Sequence, residues 1–129
     1  MPSDTRLRAL RAALILFGLI FTIGVYPLTI VWPAGWSWTP AQPTYLQMII
    51  GIYATLGVFL LLASKDPPQH RSLIAFTAWS SLVHAGVMAV HAYTDAGQMG
   101  HMWGDVAALV LVGVVLLVLA PPRSDPQTA

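Results

Sequence analysis

Cysteine and glutamate are both missing from this 129-residue chain, and charge is scarce, with six Lys and Arg against five Asp. Without cysteine there are no disulfides, no thiolate-bound zinc, no iron–sulfur clusters and no haem attached through Cys-x-x-Cys-His. Without glutamate there is neither the common di-iron carboxylate arrangement nor a His-Glu-x-x-His zinc-peptidase helix. A net charge of +1 provides no broad basic face, so nucleic acid is not expected as a partner.

What fills the chain instead is apolar sequence: 57% of residues are hydrophobic and 9% charged. Soluble domains carry about a quarter charged residues, so the expected partner is the lipid bilayer. Apolar runs at roughly 9–31, 45–63, 72–93 and 101–119 can each cross a hydrocarbon core of ~30 Å as a helix. Lipid offers exposed backbone groups no partner, which favours helices over any open strand. The expected fold is an all-α membrane protein, one up-down bundle of four transmembrane helices over residues 1–129, with a disordered Pro-rich tail at 120–129.

Arg6, Arg8 and Arg11 precede the first run, Lys65 and Arg71 separate the second from the third, and Arg123 follows the fourth. The connections at 32–44 and 94–100 hold no Lys or Arg. Cations choosing sides at random would give this pattern roughly one time in thirty, and such bias orients membrane proteins. Both termini are therefore expected in the cytoplasm, in a bacterial inner membrane. The basic start resembles a secretory signal but continues into Tyr26-Pro27 with no small-x-small site, which reads as a retained first helix.

Pro27 predicts a kink in the first helix, with Thr22 or Thr29 placed to satisfy the freed carbonyl. Pro67-Pro68 predicts a tight hairpin that makes the second and third spans antiparallel neighbours. The connection from Trp32 to Pro43 holds three of the five tryptophans and reads as irregular chain along the interface. Trp32, Trp36, Trp38, Tyr45, Tyr93 and Trp103 are expected to form an aromatic girdle at the outer headgroups.

The third run is the least lipid-like. Thr77, Ser80, Ser81, His84, Met88, His91 and Asp95 fall at steps that place them on one helical face. His84 lies near the midplane and His91 about 10 Å further out. At the start of the fourth run, His101 and Asp105 are four apart. An intramembrane ionisable group points to function, although a neutral histidine also serves as an interhelical hydrogen-bonding group. Likewise Asp105 suits a helix N-terminus with no further role.

The functional reading makes His84, His91, His101 and Asp105 an outward-facing polar site, supported by Thr77, Ser80, Ser81, Gln47 and Tyr53. Imidazole and carboxylate at His91, His101 and Asp105 suit a divalent metal, Asp105 suits an imidazole-orienting role, and His91 with His101 suits bis-histidine haem b. Gln47, Gly51 and Thr55 share one face and read as a close-packing row, as do Ser81, Ala85 and Ala89, and Gly100, Gly104 and Ala108.

The stretches Tyr26-Pro27-Leu28, Trp32-Pro33-Ala34-Gly35-Trp36, Gln47 to Tyr53, Trp79 to His84 and Gly100-His101 with Gly104-Asp105 resemble a family of small bacterial four-helix membrane proteins of unknown function. In hydropathy pattern the chain also looks like DoxX-type membrane proteins. The resemblance implies an inner-membrane, four-span protein and carries no enzymatic activity. The readings it leaves are an accessory or oligomeric membrane subunit, a redox or metal-dependent protein with a lipophilic substrate, and a small-solute or proton-coupled transporter. Partners in the first case are further copies or a larger membrane complex.

Overall fold

Every regular element among the described residues is helical, as the run lengths require. The computed structural model describes residues 3–37 and 43–121, so Trp38, Arg123 and the tail from 122 onward lie outside the described residues. The order is α1 (Ser3–Leu19), a π turn (Ile20–Gly24), α2 (Val25–Val31), α3 (Pro33–Trp36), α4 (Pro43–Ala63), a 3-10 turn (Pro67–His70), α5 (Arg71–Thr94), a second 3-10 segment (Ala96–Met102) and α6 (Asp105–Leu119). Four stretches are long and apolar enough to cross a membrane: Asp4–Val31, Thr44–Ala63, Pro67–Thr94 and Ala96–Leu119.

The first span runs continuously from α1 through α2. Its irregularity comes before Pro27, as the π turn, where the Val25 amide reaches back to the Ile20 carbonyl. Pro27 lacks the donor that its turn needs, and the wider turn beside it absorbs the mismatch. Neither threonine reaches the carbonyl four residues before Pro27. Thr22 Oγ1 donates to Gly18 O at 2.6 Å and Thr29 Oγ1 to Tyr26 O at 2.6 Å.

The described part of the connection after the first span contains a short helix that was not expected, because Pro33 occupies the first turn of α3, where its missing amide costs nothing. The fourth span, conversely, is less regular than a helix over 101–119. Its α-helix starts at Asp105, behind a break at Gly104 with φ −97° and ψ −109°. The break brings backbone against backbone, since a Cβ on Gly104 would lie 2.3 Å from Gly35 O and one on Gly100 would lie 2.6 Å from Ala34 O. Gly100 and Gly104 therefore seat α3, a short connecting helix, and do not form the span-to-span row that their spacing suggests.

Helix packing follows the other close approaches. A Cβ on Gly57 would meet Thr22 Oγ1 at 2.3 Å and Gly18 O at 2.6 Å, so α4 crosses the first span in backbone contact there. Gly113 similarly admits Leu82, with the Ala78 carbonyl close by, and joins α5 to α6. Each partner of the expected α4–α5 hairpin is thus drawn to a different neighbour. As a result α4 and α5 meet in few places, despite the short turn between them. The core is a column of Leu10, Leu14, Phe17, Leu60, Ile74, Leu109 and Leu116.

At one end of the bundle, Arg6 donates to Val118 O and Ala120 O, both at 2.9 Å, and Arg71 Nε donates to Pro121 O at 3.3 Å. The end of α6 presents unsatisfied carbonyls and partial negative charge, which two cations from different spans satisfy. This gathers the N-terminal segment, the 65–71 connection and the end of α6 at the same end of the molecule.

Candidate functional site

Two pairs of polar side chains lie further along the bundle, away from Arg6 and Arg71. Tyr53, from the middle of α4, hydrogen-bonds through its hydroxyl to Nδ1 of His84, from the middle of α5. The two rings are stacked, 5.6 Å apart with 24° between their planes. Phe21, from the π turn, packs edge-on against Tyr53 at 5.0 Å and 70°. One irregular turn, one apolar ring and one hydrogen bond thereby fix Tyr53 across the α4–α5 seam.

The second pair lies on the fourth span. His101 Nδ1 is 3.0 Å and 3.1 Å from the two carboxylate oxygens of Asp105, with His101 fully buried and Asp105 7% exposed. An ionised carboxylate only accepts, so the Nδ1 position carries the proton. The break at Gly104 separates the two residues between a 3-10 segment and α6, yet they still meet. Asp105 faces the same space as Tyr53 and His84.

Between these pairs is a half-enclosed cavity of about 70 Å³. Its walls are apolar, including Val25, Ile50, Met88 and Leu109, and its polar atoms come from Tyr53, His84, Asp105 and Trp36. Trp36 leaves the expected girdle and covers the cavity. Its indole nitrogen is buried and has no hydrogen-bond partner among the described residues. Tyr45, Tyr93 and Trp103 are exposed, as a headgroup girdle requires.

His84, Asp105 and Tyr53 are thus brought to one cavity, with His101 held behind Asp105. His91 is exposed on α5, apart from them, and neither His91 nor His101 lines the cavity. Among the described residues no group of three His or Asp side chains is arranged to hold a metal ion. Thr77 and Ser81 are buried in the packing, and Thr77 Oγ1 donates to Leu73 O of its own helix at 2.8 Å. Ser80 faces a groove between α4 and α5. Gln47 and Gly51 are exposed, and a Cβ on Gly51 would meet nothing within 4 Å, so that row packs against no other span.

Sequence reasoning missed Trp36 as a cavity residue, and it missed Gln98, which is buried beside α5. The signal for Trp36 was its Pro33-Ala34-Gly35 lead-in, an N1 proline followed by a glycine that permits close approach.

The sequence matches a family model over residues 4–125. The chain belongs to the DUF6632 family, a family of unknown function. The match agrees with the resemblance to an uncharacterised family and gives no support to the DoxX-type likeness. No curated protein and no solved structure matches the chain.

Proposed function

We propose that this DUF6632 protein is a membrane-embedded binding protein for a neutral lipophile whose head group carries a hydroxyl. The observation that supports this reading most is the cavity under Trp36, apolar except for a few polar atoms. Such sites bind ligands through apolar walls and orient them through sparse polar groups. Trp36 Nε1 is a buried donor seeking an acceptor, and the Asp105 carboxylate only accepts. α3 lies directly on Gly104, so the two groups come from neighbouring backbone. A hydroxyl accepts from the first and donates to the second.

Charge narrows the ligand further. No Lys or Arg lines the cavity, and an acidic head would be buried beside Asp105 with no cation to pair with. The one-sided cations support an orientation with both termini cytoplasmic, in a bacterial inner membrane, which turns the cavity toward the outer leaflet. Mass spectrometry of lipids retained by gently solubilised protein tests the reading. Neutral hydroxyl lipids are expected to be enriched over the surrounding membrane and lost from Ile50→Trp, which fills the cavity. A retained pool identical to bulk lipid in both proteins contradicts it.

A second reading, as a subunit of an oligomer or larger membrane complex, draws on the uncovered α4 face around Gln47, Gly51 and Thr55. Mass measurement in a native-like bilayer disc distinguishes the two, because that reading requires more than one chain per particle.

A further inference from the structure

The cavity has a second side. A groove between α4 and α5 is lined by Ile52, Leu56, Phe76 and Val83, and it shares Ile49, Tyr53 and His84 with the cavity. Ile52, Phe76 and Val83 are largely exposed, so the groove opens on the outer surface of the bundle, where lipid lies. The Tyr53–His84 hydrogen bond is thus part of a wall with the cavity behind it and the groove in front.

We propose that the ligand enters sideways from the bilayer through this seam, its head displacing the Tyr53–His84 hydrogen bond and its tail remaining in the groove. The proposal rests on the cavity's being a ligand site. Volume is the first argument: about 70 Å³ is several times what one water needs and far less than a lipid, so only a head group fits inside. The tail needs an adjoining apolar surface, and this groove adjoins the cavity through shared residues.

The second argument is which walls can part. α4 is fixed to the first span at Gly18 and Gly57, and α5 to α6 at Gly113, in contacts that leave no room for a Cβ. α3 closes the outer end against Gly100 and Gly104. The α4–α5 seam is lightly packed, with no such glycine contact among the described residues, and its polar closure is a hydrogen bond between Tyr53 and His84. Interhelical hydrogen bonds in bilayers are weak enough to open and reform.

The third argument is chemical continuity. When a hydroxyl head passes the wall, Tyr53 and His84 can bond to it in place of each other, so no polar group is stranded in lipid. The groove lining holds no Lys or Arg to pair with a charged head.

The absence of native cysteine makes the test direct. Val83→Cys in the groove, and Leu111→Cys on the exposed side of α6 as control, are each labelled with a bulky maleimide in lipid nanodiscs. Uptake of pyrene-labelled dodecanol is followed by energy transfer from tryptophan. Labelling at Val83→Cys is expected to slow uptake and weaken binding by about tenfold, while the Leu111→Cys label changes either by less than about twofold. Tyr53→Phe is expected to accelerate both uptake and release. Phe76→Cys replaces Val83→Cys if that variant does not fold. Unchanged rate and affinity after groove labelling, with binding intact in the unlabelled protein, overturns the lateral route. Absence of binding in the unlabelled protein overturns the cavity reading on which the route depends.

Discussion

The Tyr53 hydroxyl and His84 Nδ1 are hydrogen-bonded across the lightly packed seam between α4 and α5. That relationship joins the fold to the proposed function, because the same bond closes the seam and borders the cavity. An interhelical hydrogen bond in a membrane contributes about 1 kcal/mol. Tyr53→Phe and His84→Phe are each expected to lower stability by about that amount, and the double variant by little more than either one. Reversible unfolding in mixed detergent micelles measures all three. Fully additive losses contradict a direct pair.

Glycine positions divide sharply by what surrounds them. Gly57→Ala places a methyl group against Thr22 and the Gly18 carbonyl and is expected to cost about 1–3 kcal/mol. Gly51→Ala meets nothing and is expected to stabilise α4 by up to about 1 kcal/mol through helix propensity. The same unfolding assay compares the two. Equal effects contradict the described crossing of α4 with the first span.

The His101–Asp105 hydrogen bond is buried, so removing the carboxylate takes from the Nδ1 proton the acceptor it meets there. Asp105→Leu is expected to cost about 1–3 kcal/mol, and His101→Phe combined with Asp105→Leu distinctly less than the sum of the two single losses. A double-mutant cycle on unfolding gives the coupling. A coupling near zero contradicts the pair.

Orientation is tested with single cysteines at exposed positions. Gln69→Cys is expected to resist a membrane-impermeant maleimide in intact cells and Asp95→Cys to react, with both reacting after lysis. The reverse labelling pattern contradicts the orientation read from the cations.

How far the sequence carries the fold is clear at particular residues. The four spans follow from run length alone, and the one-sided cations are matched by Arg6 and Arg71 converging on the end of α6. The His101–Asp105 pairing follows from their spacing. Partner choice was not legible, because Gly18, Gly57 and Gly113 reveal their role only when a neighbouring helix is placed against them. Gly51 carries the same letter and touches nothing. The cavity escaped for a related reason: Trp36 reads as an interfacial aromatic until α3 folds it back over Asp105. His91 shares a helical face with His84 by spacing, yet it stands exposed at a level of α5 where the adjacent Ala92 is fully buried, so its side chain lies outside the packed stripe of that helix.

The central claim is that the cavity selects a neutral hydroxyl head, and its most direct test is an equilibrium titration. Nanodisc-reconstituted protein is titrated with pyrene-labelled dodecanol and with the matching carboxylic acid at neutral pH. The account predicts saturable binding of the alcohol, binding of the acid weaker by about tenfold or more, and loss of alcohol binding in Ile50→Trp. Equal binding of acid and alcohol, or alcohol binding untouched by Ile50→Trp, would contradict it.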